Sequence, residues 1–147
     1  MRIVAGKRKG LIIKSIEGES TRPTRDIVRE ALFSILFNNI DDAKFLDLFA
    51  GSGAMGIEAL SRGASEAYFS DINPKCVRII NENITKAKFN EQAKVFNADY
   101  KLVLKKLQGN KFDIIFIDPP YNKVLGIDAI EKISEYDILS ERRYYYP

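Results

Sequence analysis

The chain has 147 residues, 46% hydrophobic and 29% charged, with a formal net charge of +3, one cysteine (Cys76) and no histidine. This is the length and composition of about one globular domain; it excludes an internal disulfide, a Cys/His zinc cluster and catalysis by a Ser-His or Cys-His pair. No apolar run reaches the roughly 18 residues of a membrane helix, the N-terminus MRIVAGKRKG lacks the apolar core of a secretory signal, and Cys76 reads as a small apolar residue on a helix, so a cytoplasmic protein is expected.

The charge is uneven along the chain. Residues 1–30 hold eight Lys or Arg against four acids, which suggests either contact with a polyanion or a well-solvated edge. This section reads as a short hairpin, Arg2–Ala5 and Leu11–Ser15 about the basic turn GKRKG. Pro23 breaks the chain, and Thr24 can cap a helix from about Arg25 to Asn38, whose apolar residues Ile27, Val28, Ala31, Leu32, Ile35 and Leu36 recur at helical spacing. Residues 1–40 therefore read as a basic extension and 41–147 as the core.

In the core, strands and helices alternate. Phe45–Phe49 reads as a strand and Ala54–Ser61 as a helix with Gly63 just past its end. Ala67–Ser70 is a second strand, after which Asn73 caps and Pro74 opens a helix to about Lys88. Lys94–Asn97 is a third strand, followed by a helix near Lys101–Leu107; Phe112–Ile117 is a fourth strand, followed by a helix over Gly126–Ser134. Such alternation implies a parallel sheet with helices on both faces. Ligands bind such sheets beyond the carboxyl ends of the strands.

Those ends carry chemistry-bearing residues. After the first strand, Gly51, Gly53 and Gly56 in DLFAGSGAMG fit G-x-G-x-x-G, a pattern that lets the backbone approach a dinucleotide or another nucleoside-bearing ligand, or that merely turns the chain. After the second, Asp71 is placed to accept hydrogen bonds from ribose hydroxyls, or to start the next helix. After the third, Asp99 is placed to accept from an adenine amino group, or to cap a helix. After the fourth comes Asp118-Pro119-Pro120-Tyr121. A proline has no N–H for a central strand, and two in succession fix a rigid extended exit. The Asp118 carboxylate and the Pro119 carbonyl are then two acceptors suited to an exocyclic amine. Tyr121 can stack on the ring that bears it, at about 1–3 kcal/mol for a base on an aromatic ring; a rigid turn with a surface tyrosine is the plainer alternative.

The combination of DLFAGSG and IDPPY resembles the S-adenosylmethionine-dependent methyltransferases of the (N/D)PPY class. MRIVAGKRKG, TRPTRDIVREALFSIL and DLFAGSGAMGIEALSRGA together resemble, over roughly residues 1–125, the RsmD-type family, which methylates guanine N2 in bacterial small-subunit ribosomal RNA. The resemblance implies a Rossmann-like methyltransferase fold. It implies that Asp47, Phe49, Ala50, Gly51, Ser52 and Gly53 line the cofactor, with Asp71 on its ribose, Ile72 beside it and Asp99 near its adenine. Asp118 and Pro119 would hold the target amine, with Pro120 fixing the turn and Tyr121 against the base. Lys7, Arg8, Lys9, Arg22 and Arg25 would meet phosphates of ribosomal RNA in the small subunit or its assembly intermediate. No metal is required, since a sulfonium is already an activated methyl donor. Three rivals stand beside this reading: a dinucleotide oxidoreductase, which leaves DPPY without a role; an adenine methyltransferase of DNA; and an inactive RNA-binding relative.

The resemblance also implies a seven-stranded sheet, whereas the pattern yields four sheet strands beyond the hairpin. After Ile138-Leu139 the chain reads SERRYYYP. The last three strands are therefore expected to be missing, through truncation or an altered reading frame, with the fourth strand bare on one side. Tyr144–Tyr146 is expected to be a disordered tail more than a cover for that edge. A weakened fold and low or absent catalysis follow from that expectation.

Overall fold

In the computed structural model of the protein, residues 1–16, 23–119 and 123–146 are described. Arg22, Pro120 and Tyr121 fall outside them, as do the side chains of Thr24 and Arg25.

Five strands, β1 (Lys44–Asp47), β2 (Glu66–Asp71), β3 (Ala93–Asn97), β4 (Phe112–Phe116) and β5 (Leu139–Tyr146), form one sheet in the order β3-β2-β1-β4-β5. Every pairing is parallel. The central strands are buried on both faces, as parallel strands between helical layers must be. Phe45, Ala67, Phe69 and Ile114 enter one core with α1 (Pro23–Ile40), α2 (Ala54–Ser61) and α3 (Pro74–Ala87). Leu46, Tyr68 and Ile115, next to these in sequence, enter the other core with α4 (Tyr100–Lys106) and α5 (Lys123–Glu135). The expected alternation and the expected parallel sheet are both present, with element ends matching the expectation or shifted by at most three residues.

The N-terminal hairpin is present as one antiparallel bridge, Arg2 with Ile12. Ile3 and Ile13 are buried in the α1–α3 core, so the hairpin is packed onto the sheet layers. Buried Glu58 on α2 fixes it: its Oε1 accepts the Val4 N–H at 2.9 Å and its Oε2 the Ala5 N–H at 3.1 Å and the Arg62 Nε–H at 2.9 Å. Burying a carboxylate is costly unless it is paired and hydrogen-bonded in this way.

One expectation is overturned. The fourth strand is not bare on its outer side. Tyr144, Tyr145 and Tyr146 pair with Ile114, Ile115 and Phe116, and a bulge between Phe112 and Ile114 takes up the extra residues of β5. A tyrosine run fits a pleated, half-buried strand, and β4 offers it a row of unpaired backbone groups. The polar SERR ahead of it gives this strand no apolar pattern in the sequence.

Candidate functional site

The strand order reverses beside β1: the chain runs outward from β1 to β2 and β3, then returns to β4 on the other side. Such a switch point opens a crevice at the carboxyl ends of the strands. The register pairs Asp47 of β1 with Phe69 of β2 and with Phe116 of β4, so the residues just beyond those partners, Asp71 and Asp118, flank Asp47 at one edge. Asp71 in turn pairs with Asn97 of β3, two residues before Asp99. The acids expected at four strand ends therefore share a single edge of the sheet.

The glycine loop joins them. Gly51 and Gly53 have φ of 59° and 84°, a region that favours glycine, and Gly53 heads α2 without a side-chain cap, leaving the first N–H groups of that helix open. Gly56 serves packing instead: a Cβ there would stand 2.3 Å from Phe69 Cε2, so only glycine lets α2 lie this close to β2. The Gly51 N–H donates to Asp71 Oδ2 at 3.0 Å and the Asn73 N–H to Asp71 Oδ1 at 2.9 Å. Asp71 thus supports both the loop and the turn into α3, while Asn73 caps α3 through the Lys75 N–H, as expected. An ionised carboxylate has about four acceptor sites, so two hydrogen bonds leave Asp71 capacity for ribose hydroxyls. Ile72, next along, is 67% exposed, an open apolar surface beside this carboxylate.

Asp47 is buried, and its Oδ1 accepts no hydrogen bond. Burial, together with the carboxylates of Asp118 and Asp71, pushes its carboxyl up to about 8 against the opposing hydrogen bond from the Phe49 backbone. A buried carboxyl with an unused oxygen between two acids suits a cationic ligand, which an S-adenosylmethionine bearing a sulfonium and an ammonium would be. By this donor set, the residues present fit that cofactor.

Asp99 is exposed and accepts the Lys101 N–H at 2.9 Å through Oδ1, so it caps α4. Behind it Tyr100 is buried against Phe49, with ring centroids 5.4 Å apart. The Tyr100 hydroxyl donates to Asp128 Oδ2 at 2.5 Å, and Lys132 Nζ donates to Asp128 Oδ1 at 3.0 Å. The tyrosine hydrogen bond, then the lysine, hold the Asp128 carboxyl below its usual range, and burial and Asp128 push Tyr100 up to about 12. Asp118 is exposed and Pro119 half-buried at the site's rim. A Cβ on Gly126 of α5 would lie 3.6 Å from Pro119 Cγ, so α5 backs this stretch closely.

The basic residues divide. Lys7 and Lys9 are exposed. Arg8 is committed to the body: its Nε donates to Ala87 O at 2.6 Å and its guanidinium lies 4.9 Å from the Phe89 ring centroid. Two site residues had no signal in the sequence. Asn97 donates Nδ2 to the Asp71 and Ile72 carbonyls, fixing the end of β2, and buried Asn83 donates to the Ser52 carbonyl of the glycine loop. Each asparagine bonds only to backbone groups distant in sequence, which no local pattern marks. Cys76 is buried on α3, in its expected place.

The family model described as "Conserved hypothetical protein 95" matches residues 1–146. The chain is 37% identical over 143 residues to a putative rRNA methyltransferase of Bacillus subtilis, covering 96% of this chain and 78% of that protein. It is 34% identical over 146 residues to the ribosomal RNA small subunit methyltransferase D of Escherichia coli K12, covering 99% and 73%. A solved structure of a putative methyltransferase from Escherichia coli superposes with a TM-score of 0.84 at 32% identity, covering 96% of this chain and 75% of that one. A match over nearly the whole chain, on a sheet whose acids and glycine loop meet at one edge, means that the chain belongs to this family, the RsmD-type methyltransferases.

Proposed function

We propose that the protein transfers a methyl group from S-adenosylmethionine to the exocyclic N2 amine of a guanine in small-subunit ribosomal RNA. The observation that carries this reading is the meeting, at the β1/β4 switch point, of the buried Asp47 carboxyl and its unused Oδ1 with the Asp71-supported glycine loop and the Asp118-Pro119 exit from β4. The cofactor, when bound, supplies an activated methyl on a sulfonium. Asp47 and the loop over Phe49, Ala50, Gly51, Ser52 and Gly53 hold its charged end. Asp71, Ile72 and Asp99 hold the nucleoside.

An aromatic amine is a weak nucleophile because its lone pair is delocalised into the ring. Asp118 and the Pro119 carbonyl accept its two N–H bonds, favour a tetrahedral nitrogen and turn the lone pair toward the methyl. As the amine takes up a methyl, the positive charge developing on its nitrogen would be met by the Asp118 carboxylate, and the surplus proton would pass to that carboxylate or to water. Alignment of the two reactants contributes at most about 7–11 kcal/mol. Pro120 and Tyr121 set and cover the flipped base. Lys7, Lys9, Arg22 and Arg25, with Arg8 where its remaining N–H groups reach, meet backbone phosphates. The small-subunit names of the relatives, and a cytoplasmic setting, agree with this substrate.

Transfer of labelled methyl to small ribosomal subunits, naked 16S RNA and duplex DNA tests the reading. Subunits or 16S RNA are the expected acceptors, at guanine N2 by mass spectrometry of the nucleosides. Asp118→Ala abolishes transfer and leaves cofactor affinity by calorimetry within a few-fold; near-normal turnover in that variant would sink the amine clamp. Labelling of DNA alone would replace the substrate.

A further inference from the structure

Asn83 is 1% exposed, on the penultimate turn of α3. Its Oδ1 accepts the Lys14 N–H at 2.8 Å, and its Nδ2 donates to the Lys14 carbonyl at 2.9 Å and to the Ser52 carbonyl at 2.9 Å. With Lys14 the amide exchanges a donor and an acceptor as a neighbouring strand would. With its remaining proton it holds the glycine loop. One side chain thus satisfies three backbone groups, from a segment and a loop 38 positions apart, Lys14 and Ser52. The segment also reaches the loop directly, because Ile16 Cδ1 lies 3.4 Å from where a Cβ on Gly51 would stand. The hairpin upstream of it is seated on the body by Glu58 and by Arg8, whose Nε bond to Ala87 ends on the same helix as Asn83.

We propose that Asn83 is the positioning residue that couples the basic N-terminal segment to the cofactor loop, so that ordering either one orders the other. The identities of the two ligands rest on the function proposed above; the bridge itself does not. A ligand seated on Gly51–Gly53 fixes the Ser52 carbonyl, hence the Asn83 amide, hence Lys14–Ile16. A polyanion that engages Lys7 and Lys9 acts through the same amide in the opposite direction. Reciprocity requires the same coupling factor both ways, of about 5–150-fold in affinity for typical couplings. Of the loop's other amides, the Gly53 N–H bonds within the loop to Ala50 O at 2.9 Å, and the Ala50 and Gly51 N–H groups bond to Ser70 O and Asp71 Oδ2 of β2, away from the segment.

Hydrogen–deuterium exchange on wild type and Asn83→Asp tests this. Asp keeps the shape and the acceptor but loses both donated bonds and sets a carboxylate against two carbonyls. Without ligand, peptides covering 11–16 and 50–56 exchange faster together in the variant, while the β3 peptide 93–97 is unchanged. With S-adenosylmethionine added to wild type, protection appears at 50–56 and at 11–16; in the variant it stops at 50–56. With 16S RNA as a second ligand, the gain in S-adenosylmethionine affinity seen in wild type falls toward one in the variant. Unchanged exchange in the ligand-free variant, or undiminished protection of 11–16, overturns the proposal. If S-adenosylmethionine protects neither segment of wild type, the cofactor reading fails while the ligand-free comparison still decides the bridge. Should Asn83→Asp prove unfolded by circular dichroism, Lys14→Pro, which removes the N–H to Oδ1 from an exposed residue, carries the same comparison.

Discussion

Glu58 and Asp47 are both buried carboxyl groups, and their surroundings give them different work. Glu58 accepts two backbone N–H groups and the Nε–H of Arg62, which makes it a fastener. Asp47 faces two like charges with one oxygen unused. Its folded-state value of about 8 against 3.8 unfolded means that between about pH 4 and pH 8 the ligand-free fold keeps a proton that the unfolded chain has lost. Stability is therefore greatest below pH 4 as far as this group is concerned, and falls as pH rises through 8, by up to about 1.4 kcal/mol per unit. Melting curves of wild type and Asp47→Asn across pH 5–9 check this: the wild-type slope is expected to vanish in the variant, and parallel slopes would remove Asp47 as its source. Binding of a cationic ligand at pH 7 should release this proton, visible in calorimetry as a dependence on the ionisation enthalpy of the buffer. The basic turn yields a second residue-level expectation. Lys7→Ala and Lys9→Ala each flatten the plot of log RNA affinity against log salt by up to about one unit and leave the melting temperature alone. Arg8→Ala lowers the melting temperature, because it frees the Ala87 carbonyl and uncovers Phe89.

At the scale of elements, α5 stands behind the Asp118-Pro119 stretch and is tied to α4 by Tyr100 and Asp128. Gly126→Ala adds a methyl at ordinary contact distance from Pro119, 3.6 Å, and removes a helical glycine. It is expected to stabilise by about 0.5–1 kcal/mol in denaturant melts without loss of methyl transfer. Gly126→Leu has no such room and should lower turnover more than cofactor affinity. Equal turnover in both variants would show that α5 does not set the position of Pro119. Much of this arrangement was legible beforehand. The glycine spacing, the acid at each strand end and the two prolines are local signals, and the structure brings Asp47, Asp71, Asp99 and Asp118 to one edge. Asn83 and Asn97 were not legible, because their partners are backbone groups brought near only by folding; Glu58 has a local partner in Arg62 four residues on, but its bonds to the Val4 and Ala5 N–H groups carry no local signal. β5 is hidden for another reason: its backbone pairs with β4, while its sequence LSERRYYY has no apolar alternation.

For the whole molecule, β5 decides how the sheet ends. It covers β4, which would otherwise present unpaired groups at an edge. Ending the chain after Ile138 is expected to lower the melting temperature and to produce concentration-dependent light scattering; an unchanged melt and a monodisperse species would show that β5 adds nothing. The strand order carries one further consequence, for synthesis. Phe45 of β1 has Ala67 of β2 as an early neighbour, but its other neighbour is Ile114 of β4. A chain growing at about 5–20 residues per second thus holds a half-flanked central strand until β4 leaves the ribosome. Through that interval the apolar flank of β1 is open on the side where the Asp118-Pro119 crevice later forms, so the centre of the sheet and the Asp47–Asp118 edge are completed in the same step.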